Sequence, residues 1–398
     1  MENKSIWECV YGHLKIRGKK RAVGEFCREG FIFHSYERLI GDALAASQYF
    51  VENSEPSSPI AVCLGAYGKA VSMLACSILG RRLIVEDMSA SGIKLQGEMP
   101  NREVFISDEE FKTAIVGILS RKTPISPIAR GGSFEMVFRC ASGEVCYSES
   151  SAIHSALAFS TATALSGEDC LAFICHTSGP EALFCGLLAP LLAGGASAEC
   201  ALPRNLMRCL KLSSPTKLLC PVSVANALVL KLLRINGRRE RSAFPSVQSK
   251  KPLGKAPVPD PSYLLLKRLT HPRVSFALGG RLRSVITMGH LSSISSGAFF
   301  SFGIYTLSML SETGLVPALF HYSDEASGVF RLPLGARADL CNVQKGGIGK
   351  LIIQSPSVRK GDFISDTYLP LEKRSETALV TPFKGFILKN GSIFVVGE

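Results

Sequence analysis

Residues 170–195 read CLAFICHTSGPEALFCGLLAPLLAGG. An apolar run from Leu171 to Cys175 ends at His176; Gly179 follows, then a long apolar segment from Glu181 to Leu192 and the pair Gly194-Gly195. A histidine at a strand end either satisfies its nitrogens locally or offers its ring to a ligand. Ser142-Gly143, after the strand-like MVFRC, joins a hydroxyl to an unobstructed backbone. Ser311-Glu312 sets a carboxylate in a loop, where it is either solvated or a ligand for a hard metal ion.

The elements that must position these residues alternate in type. Ser35 to Ser47 has helical spacing, with Tyr36, Leu39, Ile40, Ala43 and Leu44 on one side. Ile60 to Leu64 reads as a buried strand, punctuated after its end by Gly65 and Gly68. Ala70 to Leu79 is a helix that Gly80 ends, and Arg82 to Val85 resumes as a strand. Such a β-α-β unit predicts a parallel sheet. The pattern repeats with strands at Phe134 to Cys140, Leu171 to Cys175, Leu218 to Cys220 and Ser284 to Thr287. Helices are predicted over Ser151 to Thr163, Glu181 to Leu192 and Val222 to Leu233. From Gly328 to Glu398 the character changes to short β-rich runs, with Asn390-Gly391 as a hairpin turn signal. The class is α/β with a β-rich end.

A chain of 398 residues can bury a large core and form two or three subdomains. Its 46% hydrophobic and 20% charged residues describe a globular protein. The apolar stretch Ala182 to Ala198 carries Pro190 and glycines and is shorter than the roughly 20 residues a membrane span needs. It reads as a buried core helix. The N-terminal sequence is polar and basic, without the apolar region of a signal peptide. The 13 cysteines form no C-x-x-C pair, and several lie in apolar segments. They read as buried free thiols, and the expected location is cytoplasmic. The net charge of +12 is partly gathered between Arg234 and Arg273, a stretch rich in Pro, Ser and basic residues. It reads as a long surface loop. No nucleic-acid-binding signature accompanies it, so nucleic acid is not an expected partner.

The segment 170–195 resembles the "PxxHxxG…pLlxGa" segment of AMP-forming acyl-CoA ligases, the adenylate-forming superfamily. Other segments are similar in the same register. HSYERLIGDALAAS and IAVCLGAYGKAVSMLACSILG look like the family's first helix and first β-α-β unit. The family's phosphate loop, [ST]SG[ST]TGxPK, falls on Ala141 to Ser148, where Ser142 and Gly143 match. The second glycine and the Pro-Lys do not, and Glu144 puts negative charge where phosphates would sit. On its residues alone this loop reads as a strand-to-helix turn. LRSVITMGHLSS looks like "LrxxxsGGaPls" of the adenine site, with Gly289 kept and Met288 and His290 substituted. GIYTLSMLSETG aligns with "i.n.YGxTEt": Ser311 and Glu312 stand for Thr-Glu, while Ser308 and Met309 replace Tyr and Gly. VTPFKGFILKNGSIFVVGE echoes "TGDxgxxdxdGxlxixGR", keeping Thr381 and Gly391. There Phe383 replaces the ribose-binding aspartate and Glu398 the hinge arginine.

The resemblance implies two doubly wound sheet subdomains in αβαβα layers and a small β-barrel-like C-terminal subdomain, without the family's small lid domain. The boundaries read 1–165, 166–320 (with the basic loop 234–273) and 321–398. It also implies that His176 and Gly179 line an acyl or aryl carboxylate pocket. Nucleotide would lie against Ser142, Gly143, Gly289, Ser311, Glu312 and Thr381, with Glu312 on Mg²⁺. Three functions are open. The first is a pseudoenzyme that keeps at most the carboxylate pocket. The second is an active ligase using ATP and Mg²⁺, completed by a lid domain from another protein. The third is an interaction scaffold using the basic loop. In that family a carboxylate attacks the α-phosphate of ATP and pyrophosphate leaves; the step depends on positioning and charge neutralisation, and loss of one preorganised donor costs about a hundred- to a thousandfold.

Overall fold

The computed structural model describes residues 4–27, 30–86, 92–96, 103–121, 132–140, 143–174, 179–200, 203–236, 271–312, 314–322, 328–344, 347–359 and 378–397. His176, Ser142, Glu398 and residues 237–270 of the basic stretch lie outside them.

Three sheets carry the fold. In the largest, β9 (Cys170–Phe173), β10 (Ala196–Glu199), β11 (Lys217–Pro221), β12 (Ser284–Met288) and β13 (Tyr305–Glu312) run parallel. An antiparallel β14 (Leu315–Tyr322) closes one edge. The hairpin β1 (Arg21–Cys27) and β2 (Gly30–Ser35) forms the other, β1 lying parallel to β10 with Val23 opposite Ser197. The strand order is β14-β13-β12-β11-β9-β10-β1-β2.

The second sheet is ordered β6 (Glu103–Ser107), β5 (Gly92–Gln96), β3 (Ile60–Cys63), β4 (Arg82–Val85), β7 (Glu135–Cys140) and β8 (Gly143–Ser148). Here β3, β4 and β7 are parallel, as the β-α-β pattern predicts. The third sheet, β15 (Val329–Phe330), β19 (Ile393–Gly397), β18 (Ala378–Ile387), β17 (Gly349–Gln354) and β16 (Arg337–Cys341), is antiparallel throughout. The β-barrel-like end becomes an open sheet among the described residues, because β15 and β16 remain its two edges and do not pair.

The helices are α1 (Ile6–Tyr11), α2 (Leu14–Arg17), α3 (Tyr36–Asn53), α4 (Ala66–Leu79), α5 (Asp108–Ser120), α6 (Glu149–Ala162), α7 (Ala189–Leu192), α8 (Leu206–Ser213), α9 (Val222–Ile235), α10 (Pro272–Ala277) and α11 (Ser293–Ser301). A π-helix, Glu181–Leu188, runs directly into α7. The main core lies between the first two sheets. It joins Val62, Leu83 and Phe138 of one and Leu171, Leu219 and Ile286 of the other through α3, α4, α6, the π-helix and α7. A second core packs α8, α9 and α11 on the opposite face of the eight-stranded sheet. Burying each such Leu, Phe or Ile side chain contributes about 1.5–3 kcal/mol.

Helix α4 is apolar all round and almost wholly buried, as a helix between two sheets must be. Its N-cap, Gly65, supplies no side-chain acceptor. Two distant carboxylates take that place: Glu199 Oε2 accepts from the Ala66 amide at 2.8 Å, and Glu25 Oε2 from the Tyr67 amide at 3.1 Å. Negative charge at this end also meets the positive pole of the helix. At the other end Gly80 adopts the left-handed conformation, φ 66°, predicted for the helix stop.

The predicted strand-to-helix turn after MVFRC is instead a hairpin. Gly143–Ser148 pairs antiparallel with β7, with Cys140 opposite Gly143, and α6 starts only at Glu149. Alternation explains it: Val145 and Tyr147 are buried while Glu144 faces solvent and pairs with Arg139 at 2.9 Å. Among the described residues no helix is long and apolar enough to cross a membrane.

Candidate functional site

In an open parallel sheet, ligands bind beyond the carboxyl ends of the strands, where the strand order reverses. Strand β9 is flanked by β10 on one side and β11 on the other. The connection from β9 passes through the π-helix into the main core, and that from β11 through α9 into the second core. Those two connections therefore leave on opposite faces, the arrangement at which open α/β sheets place their binding sites. Gly179, Gly289, Ser311 and Glu312 all lie at or just past the carboxyl ends of β9, β12 and β13. His176 belongs to the same connection as Gly179 but falls outside the described residues.

The turn after β12 is tightly built. Gly289 has φ 101°, a conformation suited to glycine, and its amide donates to the Met309 carbonyl at 2.8 Å. Thr287 Oγ1 donates to the Gly289 carbonyl at 3.0 Å and lies 3.2 Å from Ser308 Oγ, which accepts from the Leu291 amide at 3.0 Å. Ser308 is thus a structural tie where the family places a tyrosine. Met309 is fully buried, and Cys185 Sγ of the π-helix lies 4.0 Å from its Sδ.

Beyond it, Ser311 Oγ is enclosed without a hydrogen-bond partner among the described residues, and Glu312 follows at the end of β13. Glu181, first residue of the π-helix, is mostly enclosed. Burial raises its carboxyl above the ordinary range, and the nearby Glu312 raises it further. Reasoning from the sequence misses Glu181; an acid opening an apolar helix is the available signal. It also passes over His290 as a site residue, whose ring packs 4.9 Å from His321 beside the same turn.

The π-helix has a visible cause. A Cβ on Gly186 would come within 2.7 Å of the Phe173 ring, so Gly186 lets the helix press against β9. Ser197 Oγ then donates to the Gly186 carbonyl at 2.7 Å. Wide helical turns of this kind occur often at functional sites.

The remaining residues expected to touch nucleotide lie elsewhere. Gly143 begins β8 in the second sheet, and the register of β7 with β8 leaves just Ala141 and Ser142 between the strands. A two-residue connection is far shorter than a loop that wraps a triphosphate. Thr381 lies in the third sheet, where its buried hydroxyl donates to the Leu351 carbonyl at 3.0 Å. Phe383, two residues on, is buried in that sheet's core. Among the described residues no three His, Cys, Asp or Glu side chains gather as a metal-binding group. Among the described residues Gly143 and Thr381 are thus held in two other sheets than the one that carries Gly289, Ser311 and Glu312.

No family model matches the sequence, and no curated protein sequence matches it. Solved structures do. VinN in complex with L-aspartate superposes with a TM-score of 0.73 at 12% identity, over 100% of this chain and 99% of that one. The inhibitor-bound N-terminal domain of FACL13 from Mycobacterium tuberculosis gives 0.72 at 12% identity, over 100% of both chains. The o-succinylbenzoate CoA synthetase from Bacillus subtilis gives 0.66 at 9% identity, over 99% of this chain and 78% of that one. Across its whole length the chain therefore has the fold of the large, N-terminal AMP-binding domain of the adenylate-forming enzymes.

Proposed function

We propose that this protein is an adenylate-forming fold that has given up adenylation and keeps at most a small-carboxylate or acyl pocket beyond β9, β11 and β12. The observation that carries the reading is the β7–β8 register, which leaves two residues where a phosphate loop is needed. The substituted positions support it. Met309 is buried at a glycine position, Phe383 is core at an aspartate position, and Glu144 is engaged by Arg139. VinN carries L-aspartate on the same fold, which makes a carboxylate the ligand class to try first. In this reading His176 and Gly179 line the pocket and Glu181 bounds it. The test is calorimetric titration with ATP and AMP, with and without Mg²⁺, followed by a panel of acyl and aryl carboxylates. Nucleotide-independent carboxylate binding that His176→Ala weakens supports the reading; magnesium-dependent ATP binding tighter than roughly 100 μM overturns it.

One observation favours the second reading, an active ligase completed by a separate lid domain: Ser311 Oγ is unpartnered beside Glu312, as a hydroxyl awaiting a phosphate oxygen would be. ATP–pyrophosphate exchange on adding such a partner would establish it. We further propose the division 1–165, 166–320 and 321–398, with the hairpin at 21–35 crossing from the first part to the sheet of the second. The described cysteines are free thiols, which favours a reducing, cytoplasmic setting.

A further inference from the structure

A cavity of about 930 Å³ is bounded by the β1–β2 hairpin, the start of α4, and α3 and α5. No residue of the carboxylate pocket lines it. One wall is apolar, with Phe26, Val71, Phe111 and Ile115; the other carries charge.

Acids and cations share the charged wall. The acids on the lining are Glu25, Asp42, Asp108 and Glu109, against Arg38 and Lys112. Both cations are engaged. Arg38 Nε lies 3.6 Å from Asp42 Oδ2, which also accepts from the Tyr67 hydroxyl at 2.6 Å, and Lys112 Nζ lies 2.7 Å from Asp108 Oδ2. His34 stacks on Tyr67 at 3.7 Å and adds no positive charge at neutral pH, since burial pushes its imidazole down to about 4. Its Nδ1 is enclosed without a partner among the described residues.

Glu25 is the decisive group. It is 9% exposed and lines the cavity. One of its oxygens caps α4 through the Tyr67 amide; the other has no hydrogen-bond partner among the described residues, and no lysine or arginine pairs with it there. Burial raises its carboxyl above the ordinary range, so the charged form is costly unless something cationic joins it. The approach is built in: a Cβ on Gly65 would fall 2.8 Å from Glu25 Oε2, so glycine is needed there for the carboxylate to reach the helix end.

We infer that this cavity binds a small organic cation, an ammonium group on an apolar chain or ring, with the ammonium against Glu25 and the apolar body against Phe26 and Phe111. An aromatic wall beside the carboxylate favours the same charge. An anion would be repelled by the Glu25 carboxylate, and a neutral hydroxyl could donate to its free oxygen but would leave the charge uncompensated.

The test is calorimetric titration of the intact protein at neutral pH with three probes of one shape: hexylamine, hexanol and hexanoate. Hexylamine should bind saturably and about tenfold or more tighter than hexanol, with hexanoate weakest. Glu25→Gln keeps an acceptor for the Tyr67 amide while removing the charge, and should weaken hexylamine by about tenfold or more. Should that variant fold poorly, Val116→Arg places a positive charge on the lining at an exposed position of α5 and should weaken hexylamine alone. Equal or tighter binding of hexanol or hexanoate, no saturable hexylamine binding, or unchanged hexylamine affinity in a folded variant would each overturn the inference. None of these outcomes depends on the strand-end pocket, which the carboxylate and ATP titrations address separately.

Discussion

The Gly289 amide meets the Met309 carbonyl at 2.8 Å, and this bond helps tie the turn after β12 to the strand beside it. Gly289 holds the turn at φ 101°, and an added Cβ would also press on Val222 Cγ2 at 3.1 Å. Gly289→Ala should therefore lose about 1–3 kcal/mol of stability. Denaturant unfolding measures it, and an unchanged midpoint would mean the turn relaxes freely.

Glu144 is a cross-strand partner of Arg139, not a blocked phosphate site. Both side chains are substantially exposed, so Glu144→Ala should cost no more than about 1 kcal/mol. It should also fail to create ATP binding, because the connection stays two residues long. Calorimetric heat from Mg·ATP in this variant would contradict the reading of the hairpin.

Glu181 gives a pH signature. Burial raises its carboxyl above the ordinary value of 4.5, so the folded protein holds that proton more firmly than the unfolded chain. Its contribution to stability is complete below the unfolded value and is lost as pH rises through the folded one. Glu181→Gln cannot ionise. Its Tm relative to wild type should rise as the pH climbs above the ordinary value of 4.5. A constant difference as the pH climbs would show that Glu181 is ordinarily solvated.

At Gly186 the added methyl group would collide with the Phe173 ring at 2.7 Å, within the π-helix. Gly186→Ala should destabilise by about 1–3 kcal/mol, the usual cost of overpacking a core. Thermal unfolding decides it.

Thr381→Val separates two roles. The hydroxyl already donates to the Leu351 carbonyl, so its loss should cost about 1 kcal/mol and leave every ligand titration unchanged. A change in ligand affinity at constant fold would assign Thr381 to a binding site instead.

Local features are legible in the sequence. The β3–α4–β4 unit, the Gly80 stop at φ 66° and the turn at Gly391 with φ 80° each depend on residues a few positions apart. Strand β8 is hidden because Gly143-Glu144 reads as a loop opening, although Val145 and Tyr147 alternate inward. The side of the fold on which β1 and β2 pair cannot be read, since their partner lies far along the chain. At the strand ends, Gly179, Gly289, Ser311 and Glu312 are placed by the register of the family motifs. Glu181 escapes notice because the apolar run around it masks a single acid. His176 lies outside the described residues.

The partnership of Val23 with Ser197 also sets a timetable. Strand β1 docks beside one made some 170 residues later, and closing so long a loop is slow. On the ribosome the β1–β2 hairpin, with Phe26, Phe31 and Phe33 in edge-to-face contact, must wait for β10 to emerge. During that interval its aromatic face is a natural target for a chaperone.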